Sequence, residues 1–419
     1  MENNRLIFHI DVNSAFLSWE SVYRLSLDPQ AQDLRLIPSA VGGDASKRHG
    51  IILAKSTPAK KYGVTTGEPI TQALKKCPQL LVVPSHFELY TAYSENLIRI
   101  LEEYTPDIEK FSIDEAFLDM TETIHLFGGP LDTADRIRER IKNELGFTVN
   151  IGIAPNKLLA KMASDFRKPD LTHTLFYEEV ASKMWPLSIR ELFFVGSSAQ
   201  KKMESIGIHT IGQLAGYDVN LLKTLLGDKY AVLIHQYANG IDNDPVAAKE
   251  PVNKGYGNSI TLSKDVSDYE TANQVLLSLS ETVGARLRTG HVLCSCICVE
   301  LKDWEFRNIS HQMTLDTPTD STQVIYQNAC RLLKEFWDQT PVRLIGVRAT
   351  KINDNSYCQM SLFETEQSQK MKDLEKTVDQ LRSKYGTDII KRASFLQKDS
   401  IVDHAAGKAK HLNKNGKHQ

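Results

Sequence analysis

The sequence predicts a multidomain α+β protein built round a split βαβ, ferredoxin-like sheet, and three stretches carry that expectation. Leu6-Ile7-Phe8-His9-Ile10 is an apolar run that ends in Asp11 and leads into a helical pattern with Phe16, Trp19 and Tyr23 at helical spacing. Lys110 to Asp119 is a second apolar run, broken by adjacent acids at Asp114 and Glu115. It reads as two strands, Phe111 to Ile113 and Phe117 to Met120, meeting in a hairpin. Thr148 to Ile153 is a third strand, followed by a helix from Pro155 to Phe166. Between them, Tyr90, Tyr93, Leu97, Ile100, Leu101 and Tyr104 recur at helical intervals until Pro106. A further helix begins at Asp132 or Thr133 and stops at Gly146. The resulting order of strands and helices is that of a split βαβ sheet.

The acids are the chemical signal. Like charges crowded among Phe, Ile and Leu raise one another's pKa unless a cation compensates them, so the Asp114-Glu115 pair points to a divalent metal. Asp11, at another strand end, is a third acid of the same kind. Oxygen-only ligands suit magnesium or manganese, and two such ions are the usual apparatus for in-line displacement at phosphorus. Read on the pair alone, the alternative is that Asp114 caps a turn while Glu115 faces solvent.

The chain has 419 residues, 41% hydrophobic and 24% charged, which fits roughly three domains of an ordinary soluble protein. No apolar run is long enough to span a bilayer, and the charged start Met1 to Arg5 is unlike a signal peptide. Six cysteines without paired metal spacing point to a reducing cytosol. Cys294, Cys296 and Cys298 alternate and are expected on one strand face, packed beneath a helix. The net charge of −2 does not announce a nucleic-acid binder; a local basic face would have to serve.

Asp11-Val12-Asn13 followed by an aromatic helix, Ser112-Ile113-Asp114-Glu115-Ala116, and Ala154-Pro155-Asn156-Lys157-Leu158-Leu159-Ala160-Lys161-Met162-Ala163-Ser164 with the later Lys168-Pro169 together resemble the Y-family (translesion) DNA polymerases, notably their bacterial UmuC and DinB branches. The resemblance covers about residues 5 to 352. It implies a right-hand polymerase: a ferredoxin-like palm with small fingers at 1–180 (fingers about 16–83), a helix-hairpin-helix thumb at 181–243, a linker at 244–254, and a separate α/β little finger at 255–352. A tail at 353–419 follows, with an amphipathic stretch from Met371 to Tyr385 expected to dock on the chain's own body and a basic end. In the thumb stretch Phe194 stands where the hairpin motif usually has its first glycine.

The resemblance also assigns roles. Asp11, Asp114 and Glu115 become the catalytic carboxylates, holding two Mg2+ or Mn2+ ions together with the Val12 carbonyl. Phe16 falls at the steric gate that excludes a ribose 2′-hydroxyl. Asn13 is no metal ligand. Thr57 and Lys60 stand where the family usually has a Tyr and an Arg gripping the incoming triphosphate, and Thr57 reads as an N-cap with Pro58 as the first helical residue. Lys157 and Lys161 share a helical face. Their bare reading is a solvated surface; the motif makes Lys161 a triphosphate ligand and Lys157 its support. Gln359, Leu362 and Phe363 resemble the peptide that binds the bacterial sliding clamp. The implied function is low-fidelity, template-directed synthesis past DNA lesions by a cytoplasmic, nucleoid-associated monomer acting on primer-template DNA and deoxynucleoside triphosphates. The alternatives are a two-metal nuclease and a catalytically inactive module that binds DNA and the clamp.

Overall fold

The computed structural model describes residues 5–43, 50–247, 253–354, 366–386 and 389–395. The chain divides between residues 250 and 251 into two compact units. The first begins with β1 (Ile7–Val12), α1 (Ala15–Leu27), β2 (Ser39–Gly42), β3 (Ile52–Lys55), α2 (Thr57–Lys61), α3 (Ile70–Lys76), β4 (Leu81–Val83) and α4 (Phe87–Glu102). It continues with β5 (Ile108–Lys110), β6 (Glu115–Asp119), α5 (Pro130–Leu145), β7 (Val149–Ala154), α6 (Lys157–Asp165) and β8 (Thr172–Thr174), and closes with four short helices, α7 (Ser197–Glu204), α8 (Ile211–Ala215), α9 (Val219–Leu226) and α10 (Asp228–Ala238).

The main sheet has the order β5-β6-β1-β7-β8, with β1 antiparallel to both β6 and β7, as a ferredoxin-like sheet requires. Every residue of β1 and β7 is buried, so both faces of the sheet are covered. Alternation sorts the side chains. Phe8, Ile10 and Val12 join Trp19, Tyr90, Ile137 and Phe147 in one core, whereas Ile7 and Phe117 join the apolar residues of α6 and of the four closing helices in another. His9 and Asp11 therefore share the α6 side with Ile7.

Gly152 makes that side close-packed. A Cβ built on it would lie 1.9 Å from the Ala160 carbonyl oxygen and 2.6 Å from the Ser164 amide nitrogen, so only glycine lets α6 lie this near β7. A second sheet, β3-β2-β4, is covered by Ala59 of α2 and by Ile70 and Ala73 of α3.

The second unit is an antiparallel sheet of order β11-β10-β12-β9, built from β9 (Gly255–Val266), β10 (Val292–Asp303), β11 (Asn308–Thr319) and β12 (Val342–Asp354). The helices α11 (Tyr269–Thr289) and α12 (Thr322–Phe336) pack on one face through Leu276, Val283, Ile325 and Leu333. The final helix is α13 (Glu366–Tyr385). Among the described residues no helix is long and apolar enough to cross a membrane.

Several local expectations are corrected. The acid hairpin pairs β5 with β6, so Phe111 to Ile113 is the turn rather than a strand; the Phe111 and Ser112 amides both donate to the Glu115 carbonyl. Helix α2 is capped by Ser56, whose hydroxyl accepts from the Ala59 amide, which moves Thr57 to the first helical position. Helix α5 begins at Pro130 after Gly129, earlier than the polar residues Asp132 and Thr133 suggested, because proline at the first position needs no amide partner. A register break between Cys294 and Cys296 turns Cys294 into the helix-covered core with Ile297 and Val299, leaving Cys296 and Cys298 on the opposite face. Near the expected linker at 244–254, Asp242 accepts from the Leu158 amide and the Ala247 amide donates to Glu109.

Helix α13 docks in the reverse sense to its pattern. Of the stripe Met371, Leu374, Val378, Leu381 and Tyr385, Val378 is half-buried and the other four are exposed, while Arg288 of α11 bonds Asp379 at 2.6 Å and Glu375 at 3.2 Å, and Arg382 bonds Glu281 at 3.3 Å. Charges on α11 that need partners decide the orientation. Phe194 holds the left-handed φ of 71° that glycine adopts without strain, at a cost of about 1 kcal/mol. Residues 359–363 and 404–419 lie outside the described residues.

The Gly152 contact is testable. Gly152→Ala forces α6 away from β7 and is expected to cost about 3 kcal/mol, the upper range for overpacking, read as a lower urea midpoint by circular dichroism.

Candidate active site

Strand register brings the predicted acids together. Asp11 on β1 is the direct cross-strand partner of Glu115 on β6, and period-two alternation points both to the α6 side of the sheet. The Val12 amide donates to the Asp114 carbonyl at 3.0 Å, which ties the hairpin turn to the end of β1. Asp11, Asp114 and Glu115 all line one cavity of about 520 Å3, which Val12 also borders. Phe16, Thr57 and Lys60 line the same cavity, as does Lys168 of the Lys168-Pro169 pair, together with two residues not singled out from sequence, Lys55 and Asp165.

Lysines hold the acids. Lys168 Nζ lies 2.7 Å from Asp11 Oδ2 and 2.8 Å from Asp165 Oδ1. Burial nevertheless dominates at Asp11 and raises its pKa to about 6, against the pull of Lys168. Lys168 is itself raised: burial opposes its charge, but Asp11 and Asp165 more than offset it. Glu115 goes the other way. Burial works against its charge, yet His9 and Lys161 hold it down at about 2. Lys161 Nζ is 2.6 Å from Glu115 Oε2 and lies over the rings of Phe111 and Phe193. His9 Nε2 is 3.4 Å from the same oxygen, while its Nδ1 meets Ser164 Oγ at 2.8 Å; burial pushes this imidazole's pKa down.

Among the described residues no three His, Cys, Asp or Glu side chains form a metal-binding group, because two of the three acids are turned onto ammonium groups. The residues still fit a hard cation: four carboxylates line the cavity, and no His or Cys is among its lining residues.

Comparison with known proteins gives this arrangement its context. Residues 10–165 match the impB/mucB/samB family, residues 253–362 its C-terminal domain, and residues 191–242 the DNA polymerase-iota thumb domain. DNA polymerase IV of Clostridium acetobutylicum is 44% identical over 94% of this chain and 99% of its own. DNA polymerase IV of Acetivibrio thermocellus is 37% identical over 94% and 98% of the two chains, and DNA polymerase IV 1 of Bacillus subtilis is 38% identical over 94% of each. The chain belongs to the Y-family DNA polymerases, in their bacterial DinB-like branch. A solved Y-family DNA polymerase chimera superposes with a TM-score of 0.73 at 25% identity, covering 84% of this chain and all of its own. Membership carries a general dependence on divalent metal.

Within this Y-family site the two helical lysines part company. Lys157 bonds Glu109 at 2.7 Å and Lys161 bonds Glu115, so they do not converge on one anion, and Lys161 is not part of the cavity lining. Lys168, three residues beyond Asp165, is the ammonium that borders the cavity beside Asp11. Its signal was the Lys168-Pro169 pair just past α6. Lys55, at the end of β3, donates to Thr66 Oγ1 at 3.1 Å; burial and the neighbouring Lys60 lower its pKa. The Asn13 oxygen accepts from Thr148 and from the Asp170 amide, so this side chain braces the Lys168 loop.

The Asp11 shift has a definite sign. Its folded pKa lies above the unfolded value of about 3.9, so the penalty of ionising it is absent below about pH 4, grows through the interval, and is complete above about pH 6. Without divalent metal, the stability of Asp11→Asn relative to the parent is expected to improve by about 2 to 3 kcal/mol between pH 4 and pH 7.5. Paired denaturation curves at the two pH values measure it; a pH-independent difference refutes it.

Proposed function

We propose that the chain extends a primer on a DNA template past damaged bases, joining the primer 3′-hydroxyl to the α-phosphate of a deoxynucleoside triphosphate and releasing pyrophosphate. What supports this most directly is the meeting of Asp11, Asp114 and Glu115 on one cavity whose other walls carry Lys55, Lys60 and Lys168. The acids provide oxygen ligands and the lysines face polyphosphate charge. A nuclease acting on water has no comparable use for three lysines, which favours polymerisation over that alternative.

Asp11, Asp114, Glu115 and the Val12 carbonyl would hold two Mg2+ or Mn2+ ions, which would supply Lewis acidity toward the primer hydroxyl and compensate the triphosphate charge. The protein does the rest. Glu115, with its pKa near 2, enters this role already ionised and needs no proton loss. Lys168 exchanges Asp11 and Asp165 for phosphate oxygens, and Lys60 with Thr57 forms the opposite rim. Lys161 acts by keeping Glu115 charged and placed. The Phe16 ring borders the sugar and leaves no room for a 2′-hydroxyl. Template pairing selects the base.

Gln359, Leu362 and Phe363 supply a peptide for the bacterial sliding clamp, an apolar anchor of the kind that grooves bind. The chain acts as a cytoplasmic, nucleoid-associated monomer tethered in this way.

Primer extension on damaged and undamaged templates with magnesium tests the proposal. Templated extension is the expected result; degradation of the primer refutes it in favour of a nuclease, and neither outcome in favour of an inactive binding module. Asp114→Asn is expected to abolish extension, by at least about 10³-fold, while DNA binding is retained. Leu362→Ala with Phe363→Ala should remove stimulation by the clamp and leave unstimulated extension intact; equal stimulation of both proteins removes the clamp assignment.

A further inference from the structure

We infer that Glu20 is a positioning residue for sugar selection: it holds Tyr90 in place as the floor on which the Phe16 ring rests. The inference depends on Phe16 bounding the sugar site, and it adds a residue that does not itself line the cavity.

Phe16 and Glu20 stand one turn apart on α1, and His86 and Tyr90 stand one turn apart at the start of α4. The Phe16 and Tyr90 rings are stacked, with centroids 4.7 Å apart and planes 14° from parallel. A parallel stack resists approach but not sliding, so it fixes the height of Phe16 only if the lower ring is itself held in its plane. Packing against Trp19 and Phe87 surrounds Tyr90 without gripping it along its long axis. The grip comes from the phenol, which donates to Glu20 Oε1 at 2.6 Å. Burial and the Glu20 carboxylate both raise the Tyr90 pKa, so the donor proton stays in place.

The glutamate is costly for a structural residue. Glu20 is 1% exposed, Tyr90 is fully buried, and Glu20 Oε2 has no hydrogen-bond partner among the described residues. His86 Nδ1, at 2.8 Å, meets the same oxygen as Tyr90, so both polar contacts fall on Oε1. A leucine would remove the orphaned Glu20 oxygen, though it would leave the Tyr90 hydroxyl without an acceptor. What it could not do is anchor the phenol. Loss of the anchor lets the Tyr90 ring slide, and Phe16, stacked upon it, recedes from the cavity by a fraction of an ångström. A 2′-hydroxyl feels such a change; a deoxyribose hardly does.

Single-nucleotide insertion of a matched deoxynucleotide and the corresponding ribonucleotide tests this, as the ratio of their kcat/KM values. Glu20→Leu and Tyr90→Phe are each expected to reduce the deoxyribose preference by about tenfold, mainly through better ribonucleotide use, while Glu20→Gln, which keeps an acceptor oxygen, retains it within about threefold. On a Phe16→Ala background Glu20→Leu should change the ratio no further, since the two act in series. An unchanged ratio in Tyr90→Phe and Glu20→Leu overturns the inference, as does a proportional loss for both sugars. So does a Glu20→Leu effect undiminished by Phe16→Ala. If Phe16→Ala alone leaves the ratio intact, the gate reading fails and takes the inference with it. If Phe16→Ala loses the preference while Tyr90→Phe keeps it, only the role of Glu20 is refuted.

Discussion

Charge compensation in a buried place is the constraint on which the first unit depends. Four carboxylates border one cavity, and two of them, Asp11 and Glu115, are direct neighbours across strands β1 and β6. Unopposed, such acids would take up protons or push the strands apart. Lys161 and Lys168 oppose both, fully at Glu115 and only in part at Asp11, one ammonium to each cross-strand acid, and they reach the site from two ends of the same stretch: the body of α6 and the loop just beyond it. The ability to accept cations and the ability to fold without them come from the same residues.

The closeness of α6 to the sheet follows from Gly152, and the approach serves chemistry as much as packing. Lys161 reaches Glu115 because nothing projects from the strand beneath its helix. His9, on the strand next to Gly152, fills the remaining space and meets the same carboxylate from below. The second face of the sheet, with Trp19, Tyr90 and Phe147, is an ordinary aromatic core except where it passes under Phe16. There the core and the site share a ring stack, and a buried carboxylate intrudes.

Much of this was legible in the sequence because it rests on short-range pattern. The apolar run ending in Asp11, the broken run at Asp114 and Glu115, and the helix after Thr148 to Ile153 yield the sheet, and period-two alternation then settles which acids face one another. What was not legible depends on backbone detail or on distant partners. The break between Cys294 and Cys296 has no marker in composition, and Ser56 and Thr57 compete for one cap with nearly equal merit. The lysine pair 157 and 161 has helical spacing that suggests a shared target, yet each finds its own carboxylate on the sheet. Lys168 stood within the Lys168-Pro169 motif but drew no role, because it lies outside any regular element. Helical periodicity in 371–385 was correct for the helix but misled about its buried side, since ionic partners on α11 outweigh the apolar stripe.

That last helix has a consequence for the second unit as a physical object. An element fastened by Arg288, Glu281 and Arg382 hangs on ion pairs largely shielded from water, which dissolved electrolyte screens far less than surface pairs. Its hold is therefore concentrated in single partners: removing the Arg288 guanidinium would strand Glu375 and Asp379 together.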